Sequence, residues 1–283
     1  MPDRTLFVIR TNAFDLNSRL LGQRLAEIAG ATVVYVADER KSIVDTAGYA
    51  KIVTSEGALA GLGIRDLPAD WGWFCGDMCY YLAADRYPDF DQYALVESDV
   101  YIPERSVKSF VEQLQAKDVD ATAFGLGPLE KTKPYSKDLK KLDLDHRWGC
   151  IFPISCVTKD LVHVMHALRI RALKRDLRIN DEGILCGAVQ LAKASYKPLE
   201  QLIPDLIDPD TFDTNPPHLL DALYADPEEA RIFHPAVSFE KVIDRIYSSE
   251  KNYTRHRLRR VLKEAEGMQR TAILRTLGLD GEI

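Results

Sequence analysis

Short apolar runs separated by segments with helical periodicity dominate the first half of the chain. Residues 5–10, 31–37 and 93–96 are rich in β-branched and aromatic side chains, which is typical of buried strands. The segment between the first two runs repeats its leucines at helical spacing, which predicts a helix capped at residues 17–18 and ended by Gly30. Strand, helix and strand in this length predict a right-handed βαβ unit.

The same alternation continues through the middle of the chain. Further strands are predicted at residues 49–54, 120–124 and 147–154, and helices at residues 104–116 and 155–171. Strands that alternate with helices favour an α/β protein whose sheet is flanked by helices. We therefore expect a Rossmann-type mixed sheet in the main part of the chain.

Two segments interrupt this pattern. Residues 125–145 are polar and rich in lysine, and they predict a surface excursion of the kind that forms a mobile lid. Residues 204–226 are rich in proline and aspartate and predict irregular chain. Because the chain becomes helical and basic from Phe239, we expect a main domain over residues 1–237 and a helical C-terminal extension over residues 238–283.

Two carboxylates, Glu97 and Asp99, stand where the strand at residues 93–96 ends. Positions i and i+2 of a strand face the same side, so both acids can point at one spot, where their charges repel unless a cation lies between them. A hard divalent ion with oxygen ligands, Mg²⁺ or Mn²⁺, relieves that repulsion, and Ser98 turns the backbone without crowding the ion. The alternative is an ordinary strand-to-loop junction with two solvated surface acids.

Polar residues also follow the first two strands. Arg10, Thr11 and Asn12 end the first strand, and Asp38 ends the second. Since ligands of open α/β sheets bind at the carboxyl ends of the strands, these residues are candidate ligand contacts. Asp77 opens a helix in an aromatic-rich segment, where it either caps the helix, which is the favoured interpretation, or borders the ligand pocket.

A second acidic pair, Asp181 and Glu182, follows Asn180 at the predicted start of a helix. Helix capping by Asn180 and the attraction of first-turn acids to the helix dipole explain this pattern fully. The functional alternative is a general base held at the helix N-terminus. His234 lies in a short apolar segment, and a lone histidine is more often structural than a ligand.

Composition narrows the classes of function. The net charge of -6 argues against general nucleic-acid binding, and 46% hydrophobic residues are enough for a full core. The N-terminus has no signal-peptide pattern and no apolar run reaches membrane-spanning length, so we expect a cytoplasmic protein. Five cysteines without zinc-site spacing predict reduced thiols in that compartment.

The order of these features resembles that of GT-A fold glycosyltransferases over residues 5–237. Those enzymes begin with a nucleotide-binding βαβ unit and carry an Asp-Xaa-Asp metal motif after a central strand, which Glu97-Ser98-Asp99 matches with Glu in the first place. An acidic pair opens a later helix, as Asp181-Glu182 does here with the order of the acids reversed. The family's late metal-binding histidine corresponds to His234 in its Phe-His-Pro context.

The resemblance implies a GT-A-like fold and a metal-dependent transferase that moves a sugar from a nucleotide-diphosphate donor to a hydroxyl group of a glycan or glycolipid acceptor, in polysaccharide biosynthesis. It implies that Mn²⁺ or Mg²⁺ is held by Asp99 and His234, with Glu97 bound directly or through water. Glu182 is the implied general base, with Asp181 as the other candidate. With Glu182 as the base the reaction inverts the anomeric carbon; a retaining enzyme is the alternative. The implied nucleotide contacts are Arg10, Thr11, Asn12, Asp38, Asp77, Glu97 and Ser98.

Two other classes of function stay open. A nucleotidyltransferase has a similar core and a metal–diphosphate site, but it usually carries a glycine-rich basic loop after the first strand, and the residues after Arg10 contain no such glycines. A catalytically inactive carbohydrate- or nucleotide-binding protein on the same fold would not need acids and an imidazole at all three positions.

The basic segment at residues 251–263 predicts a helix with Leu258, Val261 and Leu262 on one face. Such a helix can lie on an anionic membrane surface, which would place the protein at the inner face of the membrane. The favoured alternative is a solvated helix that docks this face on the catalytic domain or on a second subunit, because the face is narrow and lacks Trp and Phe.

Overall fold

A computed structural model describes residues 4–248 and 258–279. The chain divides into two compact units. The first, called the sheet unit below, comprises Met1–Ser98 and Val107–Pro204. The second, called the C-terminal unit, comprises Asp99–Ser106 and Asp205–Ile283. The main boundary therefore follows Pro204 rather than Val237, where the sequence pattern placed it.

The sheet unit is built on seven strands in the order β3-β2-β1-β4-β6-β5-β7. The strands β1 to β4 are mutually parallel, whereas β6 runs antiparallel to both β4 and β5, and β7 runs parallel to β5. The prediction of a mixed α/β sheet is confirmed. The strands are β1 Thr5–Thr11, β2 Thr32–Asp38, β3 Lys51–Thr54, β4 Gln92–Glu97, β5 Ala121–Pro128, β6 Trp148–Thr158 and β7 Tyr196–Pro198.

Eight α-helices and two short helical segments of other types accompany these strands in the described residues up to Pro204. A π-helical turn, Arg24–Ile28, continues the first helix, and a 3-10 helix spans Pro134–Leu142. The α-helices are α1 Leu16–Gln23, α2 Glu56–Gly61, α3 Trp71–Phe74, α4 Met78–Arg86, α5 Glu104–Gln115, α6 Lys159–Lys174, α7 Asp181–Ala192 and α8 Leu199–Leu202.

The start of α1 differs from the sequence prediction. Asp15, and not Asn17 or Ser18, is the N-cap, and its carboxylate accepts from the backbone N–H of Ser18. The side chain of Asn17 is turned inward instead, where its Nδ2 donates to the carbonyl of Ser98 at 2.7 Å. The end of the helical segment is as predicted, since Gly30 has a φ of 68°, which glycine adopts without strain.

The polar segment after β5 is more ordered than a surface excursion. The strand itself continues to Pro128, and the 3-10 helix Pro134–Leu142 follows. Leu139 and Leu142 on that helix are buried in the main hydrophobic core of the sheet unit. Their spacing of three residues places them on one side of a 3-10 helix, so two leucines in a lysine-rich segment are enough to bind it to the core.

The C-terminal unit has its own small core. A parallel pair of short strands, β8 His218–Leu219 and β9 Ala236–Val237, packs with helices α10 Phe239–Tyr247, α11 Arg259–Glu264 and α12 Gly267–Thr276, and α9 Leu220–Ala225 follows β8 directly. The strand pair explains why the unit begins near residue 205, because it ties the proline-rich segment to the later helices. The core residues include Leu219, Val237, Val242, Leu258, Val261 and Ile273.

The predicted basic helix at residues 251–263 falls partly outside the described residues, which resume at Leu258. In the described part, Leu258 and Val261 are buried in the core of the C-terminal unit, and Leu262 packs against it. The apolar face of this part is thus used inside the unit. None of the helices in residues 4–248 and 258–279 combines the length and apolar character needed to cross a membrane.

Candidate active site

Arg10 and Glu97 meet at the carboxyl ends of two central strands. The parallel strands β1 and β4 pair in a register that sets Arg10 beside Glu97, and the two side chains form an ion pair through Nη1 and Oε1. The other guanidinium nitrogen, Nη2, donates to the carbonyls of Gly72 at 2.7 Å and of Trp73 at 3.1 Å. The loop around α3 therefore fixes the orientation of Arg10, and Arg10 in turn holds Glu97.

A third ionisable group, Asp181, completes this cluster from the start of α7. Its Oδ2 lies 3.6 Å from Nη1 of Arg10 and accepts from the backbone N–H of Gly76 at 3.1 Å. Asn180 is the N-cap of α7, with its side chain accepting from the N–H of Gly183 at 3.0 Å, as the sequence predicts. The capped helix N-terminus thus carries Asp181 to the strand ends.

One guanidinium cannot balance two ionised carboxylates in this cluster. Burial is the main cause that raises the pKa of Asp181 to about 8; Arg10 opposes this rise, and the nearby Glu182 and Glu97 add to it. Burial by itself would lower the pKa of Arg10, but Glu97 and Asp181 outweigh that effect and raise it. One guanidinium therefore faces two carboxyl groups, and Asp181 holds a proton at neutral pH.

Glu182 occupies the next position of α7 and forms an ion pair with Lys133. Its Oε2 lies 3.4 Å from Nζ of Lys133, which also donates to the carbonyl of Cys150 at 2.6 Å. The Glu182 side chain is 15% exposed, so it is mostly desolvated but still reachable. Burial raises the pKa of Glu182, and Lys133 opposes that rise. A desolvated carboxylate with a raised pKa is a suitable proton acceptor near neutral pH.

Asp99 and His234 are brought together in the C-terminal unit. Nε2 of His234 lies 3.6 Å from Oδ1 of Asp99, and the backbone carbonyl of Asp99 accepts from the N–H of Ala236 at 2.7 Å. Nδ1 of His234 lies 2.7 Å from the carbonyl oxygen of Asp213. Because a carbonyl can only accept, Nδ1 is the protonated nitrogen and Nε2 faces the Asp99 carboxylate. Metal-binding histidines are commonly oriented by such a bond to the ring nitrogen that does not bind the metal.

The remaining strand-end residues differ in how much surface they offer. Thr11 is buried, and its hydroxyl donates to the carbonyl of Ala13, whereas Asn12 is exposed. Ser98 is half-buried, and its backbone N–H donates to the carbonyl of Arg10 at 3.0 Å. Of these three predicted contacts, Asn12 presents its side chain most openly.

Asp38 at the end of β2 is engaged by a residue that the sequence analysis did not single out. Arg40 donates to both of its carboxylate oxygens, at 2.8 Å and 2.6 Å, and these bonds hold the pKa of Asp38 below its usual range. The guanidinium of Arg40 also lies 4.3 Å from the centroid of the Trp71 ring. Arg40 follows Asp38 by two residues, so the sequence contained the signal for this pair.

Asp77 lies in the core, which changes its interpretation. Its side chain and that of Arg169 both have 0% exposure, and Arg169 donates to its two carboxylate oxygens at 2.5 Å and 2.9 Å. The expected helix cap is absent, since the side chain makes no cap hydrogen bond. A nucleotide cannot touch a carboxylate that has no exposed surface, so Asp77 is a core residue and not the nucleotide contact that the sequence analysis expected. Arg169 also donates to the carbonyl of Ile179 at 2.6 Å, immediately before the cap of α7.

Two further charged residues that pair with the predicted acids escaped the sequence analysis: Lys133, which pairs with Glu182, and Arg169, which pairs with Asp77. Lys133 stands in the segment expected to be a surface excursion, so its approach to Glu182 was not foreseen. Arg169 lies one position after Leu168 on the buried stripe of α6, and a charged residue next to such a stripe was a usable signal.

No family model matches the chain, and no curated protein matches it in sequence. Among solved structures, it is similar to a glycosyltransferase involved in the glycosylation of the major capsid of PBCV-1, with 14% identity, 81% of this chain and 92% of that chain covered, and a TM-score of 0.39. It is also similar to the inositol-1-phosphate CTP transferase of T. maritima, with 10% identity, coverage of 70% and 85%, and a TM-score of 0.40.

A third similar structure is the Mn/GDP form of core-mannan synthase A from Aspergillus fumigatus. The identity is 10%, 69% of this chain and 72% of that chain are covered, and the TM-score is 0.39. Likenesses at this level do not identify the activity of the chain.

Proposed function

We propose that the chain is a glycosyltransferase that moves a sugar from a nucleotide-diphosphate donor to a hydroxyl group of a glycan or glycolipid. One observation carries the proposal: Glu182, a mostly buried carboxylate with a raised pKa, stands beside the cluster of Arg10, Glu97 and Asp181 at the ends of β1 and β4. Ligands of open α/β sheets bind at this edge, and a carboxylate there can take a proton from an acceptor.

The proton is assigned to Glu182 rather than to its neighbour. Asp181 has a pKa of about 8 and is already protonated at neutral pH, so it has little capacity to accept a second group's proton. Glu182 is kept ionised to a larger extent by Lys133, which lowers its pKa. In this proposal Glu182 deprotonates the acceptor hydroxyl as it attacks the anomeric carbon, and a single displacement of this kind inverts the anomeric centre.

We further propose that Asp99 and His234 hold a divalent cation, Mn²⁺ or Mg²⁺. A carboxylate and an imidazole whose Nδ1 is already bonded to a carbonyl are donors that fit such an ion. The bound ion would supply charge neutralisation for the diphosphate leaving group.

Nucleotide contacts belong to the strand ends in the same proposal. The exposed amide of Asn12 and the carboxylate of Asp38 are suited to the base and ribose, while Thr11 and Ser98 shape the backbone that receives them. Arg10 supports these nucleotide contacts indirectly, because its nitrogens are bonded to Glu97 and to two backbone carbonyls.

The test is turnover of nucleotide sugars by the purified protein. UDP-, GDP- and dTDP-linked sugars are incubated with and without Mn²⁺, and the release of the nucleoside diphosphate is measured. We expect metal-dependent release from one of these donor classes. Release of pyrophosphate from a nucleoside triphosphate and a sugar phosphate would instead indicate a nucleotidyltransferase. Stabilisation by nucleotide with no turnover would indicate an inactive binding protein.

Glu182→Gln tests the assigned base, because it keeps the shape of the side chain and removes its capacity to accept a proton. We expect kcat to fall by about 100-fold or more, the usual scale for the loss of a general base, while the thermal shift caused by nucleotide stays the same. Glu104→Gln is the matched control, since Glu104 is also in the first turn of a helix but is exposed. Wild-type kcat in Glu182→Gln would reassign Glu182 to a structural role.

A further inference from the structure

Two exposed aromatic side chains lie together on the sheet unit. Trp73 on α3 is 63% exposed and Tyr135 on the 3-10 helix is 41% exposed. Their ring centroids are 5.9 Å apart and the ring planes meet at 78°. The two residues are far apart in the sequence, so the fold itself brings this aromatic pair together and leaves it facing solvent.

The segments that carry the aromatic pair also contact the charged cluster and Glu182. The backbone carbonyl of Trp73 accepts from Arg10 at 3.1 Å. Tyr135 follows Lys133 by two residues, and Nζ of Lys133 lies 3.4 Å from Glu182. The segments that carry the two rings are therefore the same segments that hold Arg10 and Glu182.

The aromatic pair packs on Phe74 and Arg178. The buried ring of Phe74 contacts Tyr135 edge to face, with centroids 5.6 Å apart, and the guanidinium of Arg178 lies 4.2 Å from the centroid of the Phe74 ring. Arg178 in turn pairs with Asp70 through two bonds of 3.0 Å and 2.8 Å. A rigid, exposed aromatic surface loses little conformational entropy when a ligand covers it.

We propose that Trp73 and Tyr135 form a platform on which a pyranose ring of the acceptor packs. This inference rests on the proposed function. One face of a pyranose ring is lined by C–H groups, which pack well on the electron-rich faces of aromatic rings. Its hydroxyl groups lie at the rim of the ring, where a partly exposed ion pair such as Asp70–Arg178 offers hydrogen-bonding groups.

A sugar fits this platform better than the nucleobase of the donor does. The two rings meet at 78°, so they form a corner and not a slot with parallel walls into which a flat base slides. Tyr135 also belongs to the segment of Lys133, next to the carboxylate that deprotonates the acceptor in the proposed reaction. The acceptor must lie near that carboxylate.

The kinetic test compares transfer to an acceptor with hydrolysis of the donor. In Trp73→Ala and Tyr135→Ala we expect the KM for the acceptor to rise about tenfold or more and the ratio of transfer to hydrolysis to fall by a similar factor. Trp73→Phe restores most of the loss. Tyr247→Ala is the matched control, because Tyr247 is 72% exposed and lies in the C-terminal unit. A rise in the donor KM alone would place the nucleobase on the platform and overturn the proposal.

A binding test separates this inference from the proposed function. Saturation-transfer NMR is recorded with maltotriose, cellotriose and mannotriose as probes, on the wild-type protein and on the Trp73→Ala/Tyr135→Ala double variant. Binding of one probe that the double variant loses, with no turnover of any donor, supports the platform and contradicts the proposed function. Donor turnover with unchanged acceptor kinetics in the double variant, or equal probe binding by both proteins, overturns the platform and leaves the proposed function standing.

Discussion

At the scale of single residues, Asp181 is a side chain whose charge at neutral pH is changed by the fold. The ordinary pKa of an Asp carboxyl is 3.8, and in the folded protein that of Asp181 is about 8. Between these pH values the folded state keeps a proton that the unfolded state has released, so the contribution of Asp181 to stability is present below pH 3.8 and is lost as the pH rises through 8.

Asp181→Asn should remove this pH dependence. Relative to the variant, the wild-type protein should lose stability between pH 4 and pH 8, and each kcal/mol of that loss lowers Tm by about 2–4 °C in a chain of this size. The measurement is Tm as a function of pH for both proteins. The slopes of the two curves are compared and not the absolute Tm values, because losing the carboxylate acceptor for the N–H of Gly76 shifts all points equally. Asp160→Asn, an exposed first-turn acid of α6, is the control. Parallel curves for wild type and Asp181→Asn would contradict the raised pKa.

Lys133 acts on Glu182 in the opposite direction. Since Lys133 lowers the pKa of Glu182, Lys133→Met should raise it, and a larger fraction of the base is then protonated at any given pH. The acidic limb of the kcat/KM profile should move to higher pH, with kcat less affected on the alkaline side. The profile is measured from pH 5 to pH 9, with the exposed Lys131→Met as the control. An unmoved acidic limb would mean that Glu182 does not govern it.

At the scale of elements, the pair of Asp77 and Arg169 connects three helices of the sheet unit. Asp77 lies at the start of α4, Arg169 is on α6, and Arg169 donates to the carbonyl of Ile179 before α7. Arg169→Met leaves the buried Asp77 carboxylate without its cation, with the hydroxyl of Tyr81 still donating to it, and should cost about 3–5 kcal/mol, whereas adding Asp77→Leu should restore much of that loss. Urea unfolding measures both, with Arg171→Met on the exposed side of α6 as control. Equal losses in the single and double variants would contradict the pairing.

Elements were predictable from the sequence where one apolar run makes one buried strand. The interiors of β1, β2 and β4 fall almost entirely within their predicted runs, because each is buried on both faces and reads as continuous hydrophobic sequence. The capping of α7 by Asn180 followed from local chemistry as well. The 3-10 helix could not be predicted in this way. Its two buried leucines lie in a lysine-rich segment that has no repeating pattern of apolar residues.

The candidate site was predictable as a set of positions but not as a set of interactions. The acids at 97, 181 and 182 were visible because they stand at a strand end and a helix start. Their partners Arg10 and Lys133 are separated from them by 87 and 49 residues, and only the fold brings them within reach. The same holds for Asp77, whose partner Arg169 is 92 residues away. Because of this pairing, Asp77 is a core residue and not the helix cap that the sequence indicates. The bond between His234 and the carbonyl of Asp213 involves a backbone atom, which residue types cannot reveal.

At the scale of the whole molecule, metal binding should be measurable as a change in global stability. A ligand that binds only the folded state stabilises it by about 2.7 kcal/mol at 100 times its Kd. If Asp99 and His234 hold a divalent cation, Mn²⁺ should raise the Tm of the wild-type protein in the presence of a nucleoside diphosphate, and the rise should depend on Mn²⁺ concentration.

His234→Ala and Asp99→Ala should each abolish that rise. Each removes one of two donor groups that lie 3.6 Å apart. The surface histidine variant His163→Ala should keep the full effect, since His163 is exposed on α6. Chemical denaturation without metal checks that the variants are folded, because the loss of the bond from Nδ1 to Asp213 alone lowers stability by roughly 1 kcal/mol. A Mn²⁺-dependent rise in Tm that survives in both variants would move the metal to other residues, and the transferase would then need a different account of how its leaving group is neutralised.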